Sequence, residues 1–133
     1  MAKRDVIVWL VDDVESVRKS IRAVLETADI TIRDYGSAKA FLKEYQSDSA
    51  GCLVVDQHMP DMSGVELLEH LASRGITPPA IIFTGQGSAA LRAKALKAGA
   101  IAMLDKPVDA QELIELIEAN FPPSDRRAAH LAT

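Results

Sequence analysis

Val6-Ile7-Val8-Trp9-Leu10-Val11-Asp12-Asp13 is the stretch that decides the fold. Its first six residues are apolar on both of the faces between which a strand alternates, so this strand must be covered on both sides. Strands of that kind belong to parallel sheets sandwiched between helices. The two acids that follow stand where the strand ends.

The same alternation of a short apolar run and a longer amphipathic stretch continues outward from there. Ser16 to Ala28 carries Val17, Ile21, Val24, Leu25 and Ala28 on one helical stripe. Ile30 to Tyr35 alternates apolar and polar residues and reads as a half-exposed edge strand. Ser37 is placed to cap a helix through Tyr45. Cys52-Leu53-Val54-Val55 is a second fully apolar strand. Ser63-Gly64-Val65-Glu66 has capping-box spacing and opens a helix to about Ser73, ended by Gly75. Ala80 to Phe83 is a third buried strand, and Ala89 to Lys97 an alanine-rich helix stopped by Gly99. Ala100 to Leu104 is the last strand. Asp109-Ala110-Gln111-Glu112 repeats the capping-box spacing before a final helix to about Phe121.

Five strand–helix units imply an α/β fold with right-handed crossovers. The expected architecture is a flavodoxin-like (βα)5 domain, a five-stranded parallel sheet in the order 2-1-3-4-5 with helices on both faces. One domain is expected over residues 1–121, with 122–133 as a polar tail or truncated linker.

Composition narrows the function classes. Hydrophobic residues make up 48% of the 133, which places the chain among globular domains. A net charge of −4 argues against direct, non-specific nucleic-acid binding. The single cysteine, Cys52, leaves no internal disulfide and no cysteine-rich zinc site, and suits a cytoplasmic setting. No apolar run reaches the roughly 20 residues of a membrane span, and no long apolar signal segment follows Met1.

Ligands of open α/β sheets bind beyond the carboxyl ends of the strands, at the switch point. There this sequence places Asp12 and Asp13 after strand one, Asp56 after strand three, Thr84 at the end of strand four, and Asp105 and Lys106 after strand five. Strands one and three are neighbours in the expected order, so their carboxylates share a site. Taken singly, each Asp reads as a helix cap, Thr84 as turn chemistry before Gly85, and Lys106 as a solvated loop cation. Suitable residues at successive strand ends favour a site instead. Mutually repelling carboxylates need a counter-charge, and an all-oxygen donor set suits Mg2+. A cation site, a lysine and a hydroxyl together suit phosphoryl transfer, with Asp56 as the nucleophile.

With those residues in view, the sequence resembles the receiver domain of two-component response regulators. The matching motifs are Val11-Asp12-Asp13, Val55-Asp56, Met59-Pro60-Asp61-Met62-Ser63-Gly64, Thr84-Gly85, Lys97-Ala98-Gly99-Ala100 and Asp105-Lys106-Pro107, in the family's order across about residues 6–121. Trp9-Leu10-Val11-Asp12-Asp13 and Thr84-Gly85-Gln86-Gly87 look most like the FixJ-like branch. The resemblance implies a phosphorelay protein whose Asp56 accepts a phosphoryl group from a histidine kinase. By the same resemblance it would catalyse its own Mg2+-dependent phosphorylation and dephosphorylation without being an ordinary enzyme. It would then switch conformation, form a homodimer and control an output such as transcription. Asp13, Asp56 and the carbonyl of His58 would bind Mg2+, with Asp12 helping through water. Thr84 and Lys106 would meet the phosphoryl group, His58 and Gln86 would tune its lifetime, and Lys106-Pro107 would be a cis peptide.

One position departs from the family's pattern. Three residues before Lys106 the family has Phe or Tyr, a ring that turns inward as the family's counterpart of Thr84 moves toward the phosphoryl group; here stands Met103. Met fills irregular space and follows movement less sharply than a ring. The expectation is weaker or differently routed coupling to the face of helix four, strand five and helix five; plain core filling is the simpler account. Three other functions compete. A haloacid-dehalogenase phosphatase would need a second Asp where His58 stands. A flavodoxin would need Ser, Thr and Gly where Asp12-Asp13-Val14-Glu15 stands. A phosphorylation-independent pseudo-receiver would be an interaction module alone.

Overall fold

The computed structural model describes residues 7–45 and 51–120, so the expectations for Val6, for Phe121 and for the tail 122–133 lie outside the described residues. The elements are β1 (Ile7–Val11), α1 (Glu15–Thr27), β2 (Thr31–Tyr35), α2 (Ala38–Glu44), β3 (Gly51–Asp56), α3 (Gly64–Ser73), β4 (Ala80–Thr84), α4 (Ala89–Lys97), β5 (Ala100–Asp105) and α5 (Ala110–Asn120). Every strand pairing is parallel, and the sheet order is β2-β1-β3-β4-β5, as expected.

Alternate strand residues divide the core into two layers. Val8, Leu10, Cys52, Val54, Ile81 and Phe83 pack with Ile21, Leu25, Leu113 and Ile117 of α1 and α5. Trp9, Val11, Leu53, Val55, Ala80 and Ile82 face the other way, against Phe41, Leu67, Leu71 and Ala95 of α2, α3 and α4. β1 and β3 are buried on both faces, whereas β2 alternates at its edge of the sheet.

Helix ends follow the expected chemistry with two refinements. Ser63 and Glu66 form the reciprocal capping box of α3, and Ser37 and Ser88 accept the Ala40 and Leu91 N–H groups at α2 and α4. Asp109 Oδ1 accepts the Gln111 and Glu112 N–H groups at α5. α1 begins at Glu15, one residue earlier than expected, with Val14 in the capping place and no side-chain cap; Asp12 Oδ1 accepts the Val14 N–H just before the helix. α2 has only seven residues, too few to hold by itself; Phe41 and the flanking Tyr45 pack on Trp9, the Trp9 and Tyr45 rings edge-on at 5.0 Å. Gly75 and Gly99 end α3 and α4 at φ 76° and 109°, conformations that a side chain would strain.

Candidate functional site

Register brings the acids together before any side chain is considered. β1 and β3 pair with Val11 opposite Val55, so the next residues, Asp12 and Asp56, leave the sheet side by side. β3 and β4 pair with Asp56 opposite Phe83, which sets Thr84 one step further along the same rim. Thr84 lies opposite Asp105 of β5, and the Lys106 N–H donates to the Thr84 carbonyl at 2.8 Å. The strands extend to Asp56, Thr84 and Asp105, one residue beyond the apolar runs, because these polar residues still complete the backbone ladder.

Asp12 and Thr84 are fully buried and Asp56 is 2% exposed, while Asp13 is open to solvent. Asp12, Asp13 and Asp56 each offer a carboxylate oxygen to a group whose members lie within 4.8 Å of one another. The Lys106 ammonium stands 3.3 Å from Asp56 Oδ1 and 3.7 Å from Asp12 Oδ2. Asp12 Oδ1 accepts the Val14 N–H at 2.8 Å, but its Oδ2 is buried with no hydrogen-bond partner among the described residues. Burial raises the Asp12 carboxyl above its ordinary 3.8; the Val14 bond opposes this, Asp56 adds to it, Lys106 opposes it, and Asp13 adds to it.

This donor set fits a hard divalent cation. It is all oxygen, it carries more negative charge than one lysine offsets, and it contains a desolvated oxygen that accepts no hydrogen bond from the described residues. Asp13, on the open side, leaves an approach for a small substrate. Of the remaining expected residues, His58 donates its N–H to Asp56 Oδ1 at 3.3 Å, and Gln86 donates its N–H to Thr84 Oγ1 at 3.1 Å. The Lys106-Pro107 peptide is cis, as expected. Met103 is 3% exposed and lies in the α2–α3–α4 layer of the core, not in the pocket.

Comparison with known proteins agrees with this geometry. The response regulator receiver domain family matches residues 8–118. The chain belongs to that family. It is 42% identical over 114 residues to the transcriptional regulatory protein FixJ of Rhizobium meliloti strain 1021, covering 86% of this chain and 56% of that protein. The chain thus spans little more than half the length of that relative. The crystal structure of FixJ-N superposes with a TM-score of 0.79 at 42% identity, covering 86% of this chain and 91% of the other. The solution structure of the beryllofluoride-activated NtrC4 receiver domain dimer superposes with a TM-score of 0.79 at 29% identity, covering 86% of this chain and 95% of that one. This chain is accordingly a receiver domain of the kind found in two-component transcriptional regulators, and its acidic pocket stands where receiver domains bind Mg2+.

Several contributors escape a reading of the sequence. Arg18 reads there as part of a solvated basic face with Lys19 and Arg22. Only Lys19, paired with Glu15, keeps that character. Arg18 is 17% exposed, its Nη1 donates to the Asp12 carbonyl at 2.6 Å, and its Nε donates to Asp34 at 3.2 Å. Arg22 closes on the other Asp34 oxygen at 2.6 Å. A basic residue five positions after the acidic pair was the available signal. Gln57 is also buried; its Oε1 accepts the Val65 N–H at 2.9 Å and ties the pocket loop to the start of α3. The third is a side-chain contact, His58 Nε2 to Thr84 Oγ1 at 3.1 Å, which no spacing rule reveals.

Proposed function

We propose that Asp56 is the phosphoacceptor of a two-component phosphorelay and that its phosphorylation switches this domain between resting and active packings. The observation that carries this reading is the convergence of Asp12, Asp13, Asp56, Thr84 and Lys106 at one rim. An Asp56 carboxylate oxygen attacks phosphorus while the donor's bond to phosphorus breaks. The donor leaves as a histidine kinase's imidazole, which takes up a proton, or as acetate when acetyl phosphate is used. Asp13, Asp56 and the His58 carbonyl would hold Mg2+, with Asp12 assisting through water; when bound, the ion offsets charge on the phosphoryl oxygens. Lys106 already stands against Asp56 and exchanges that carboxylate for the phosphoryl oxygens. The Thr84 hydroxyl donates to the same group. The domain carries out this transfer and its reversal on itself, which sets it apart from an ordinary enzyme.

The new charge, about −1.5 to −2, favours the packing in which Thr84 and Lys106 lie closest to it. A full swing from 1:99 to 99:1 requires about 5.5 kcal/mol of differential stabilisation. Homodimerisation on phosphorylation is the output we infer, by likeness to the activated dimer, and transcription its target, by likeness to FixJ. The receiver unit would close near residue 121, with 122–133 as tail or linker; the family match ends at residue 118. The net charge of −4 favours a protein partner over direct nucleic-acid contact, and the buried free Cys52 suits a cytoplasmic setting. Among the described residues no helix is long and apolar enough to cross a membrane. The complete pocket favours this reading over a phosphorylation-independent module. Acetyl phosphate with Mg2+ should add about 80 Da to the intact protein, and Asp56→Asn should abolish the gain. Failure of the wild-type protein to gain that mass refutes the reading.

A further inference from the structure

Thr84 has no exposed surface, whereas His58 is exposed and its ring reaches across to the Thr84 hydroxyl. We propose that His58 is a positioning residue that holds Thr84 in its resting place and competes with the phosphoryl group for the Thr84 hydroxyl. The hydroxyl has this role only as the phosphoryl's partner, so the hold rests on the function proposed above.

A threonine hydroxyl has one hydrogen to donate and two lone pairs to accept with. The Gln86 N–H occupies one lone pair at 3.1 Å. His58 Nε2, also at 3.1 Å, takes either the hydrogen or the second lone pair, according to its tautomer. In the first case the hydroxyl has nothing left to give. In the second the hydrogen stays free for a phosphoryl oxygen, so the hold is the first arrangement, with neutral His58 accepting at Nε2. In that arrangement the His58 bond must break before Thr84 can donate to a group on Asp56. The backbone makes the hold specific: the His58 N–H donates to Asp56 Oδ1 at 3.3 Å, so one residue is anchored at the acceptor while its ring engages the hydroxyl of the adjacent strand. Each phosphoryl-bound molecule therefore gives up one hydrogen bond present at rest, and removing His58 lifts that cost from the binding step.

The test is titration of beryllofluoride, a phosphoryl mimic, at saturating Mg2+ and followed by 19F NMR, on four proteins: wild type, His58→Ala, Thr84→Ala and the double variant. His58→Ala should tighten binding about fivefold, the worth of one net hydrogen bond. In the Thr84→Ala background the same substitution should change affinity by no more than about twofold. Unchanged or weaker binding in His58→Ala overturns the proposal. Equal tightening in both backgrounds also overturns it, because the ring would then act only by blocking access. The His58 15N resonances of the wild type supply a reading that needs no variant: Nε2 should shift when the mimic binds, and an unmoved Nε2 overturns the hold. A wild-type protein that fails to bind the mimic removes the underlying function itself, a result distinct from all of these.

Discussion

The Lys106 ammonium sits 3.3 Å from Oδ1 of Asp56, although β4 lies between the strands that carry the two residues. Lys106 makes this reach over the ring of Phe83, 5.2 Å from its centroid, so a core residue of β4 supports the path of the chain that crosses it. The resting pocket is thus a buried anion pair, Asp12 and Asp56, served by one partly exposed cation.

Lys106→Ala should lower the stability of the metal-free protein and tighten its hold on Mg2+. Breaking a fully buried pair costs about 3–5 kcal/mol, but solvent reaches Lys106, so about 1–2 kcal/mol is expected. The removed ammonium also competes with any cation for the same oxygens. Thermal unfolding in chelator and in a Mg2+ series checks both parts. Weaker Mg2+ binding in the variant would mean that Lys106 shapes the site more than it opposes the ion.

Asp12→Asn should stabilise the metal-free protein. Burial holds the Asp12 carboxyl above 3.8, so from the unfolded value upward the folded state binds more protons than the unfolded one. This contribution is therefore greatest below about 3.9 and is lost as pH rises through the folded pKa. Asn retains an oxygen for the Val14 N–H and carries no charge to desolvate. A rise in unfolding temperature of roughly 3–5 °C at pH 7 is expected, the response of a domain this size to about 1 kcal/mol. The gap between variant and wild type should narrow toward pH 4 and in Mg2+; a gap that widens on acidification contradicts the assignment.

The parts of this site that sequence made legible are those that periodicity controls. Val6 to Val11 and Cys52 to Val55 announce doubly covered strands, and a doubly covered strand must end at the sheet's rim, so Asp12, Asp56, Thr84 and Lys106 fall together once the strand order is given. Three strand ends lie one residue beyond the apolar runs, at Asp56, Thr84 and Asp105, because these polar residues still complete ladder bonds. His58 and Arg18 were not legible as Thr84 and Asp12 partners. Their roles depend on side-chain torsions and on distances across the sheet, which the spacing along the chain does not encode.

Arg18→Ala should weaken Mg2+ binding, although Arg18 is not among the carboxylate donors. Its guanidinium fork joins the Asp12 carbonyl to Asp34, so it fixes the turn that aims Asp12 and Asp13. Loss of a charge-assisted bond to a carbonyl and of a partly buried ion pair costs about 1.5–3 kcal/mol. Arg18→Lys should recover only part of the affinity, because an ammonium cannot span both partners with the same geometry. Calorimetric Mg2+ titration checks this; equal affinity in Arg18→Ala would make the residue merely structural.

Cys52 should resist thiol reagents in the folded protein. Burial pushes its thiol up to about 12. An unfolded cysteine ionises near 8.5, so between about 8.5 and that value the unfolded state releases a proton the folded state keeps. Stability from this residue is fully present below about 8.5 and falls as pH rises across the window. Cys52→Ala should cost about 1 kcal/mol at pH 7 through a small cavity and should flatten the alkaline loss. Rapid labelling of the native thiol at pH 8 would show instead that β3 opens locally.

Met103→Phe probes how the pocket is coupled to the distal face. A Cβ on Gly87 would stand 3.2 Å from Met103 Cε and 3.5 Å from Thr84 Cγ2, so these two side chains border one small volume. The Met103 carbonyl accepts Arg92 Nη1 at 3.3 Å, which links the same strand residue to α4. When Thr84 turns toward Asp56, a flexible thioether can follow by small torsional changes, whereas a ring must choose between two positions. Phe should therefore overpack the resting domain, at about 1–3 kcal/mol, and release that strain when Thr84 moves. The expected result is a lower unfolding temperature at rest and a larger beryllofluoride-induced shift in dimer Kd, measured by sedimentation. If both dimerisation and partner binding respond to the mimic as in the wild type, Met103 fills the core and transmits nothing.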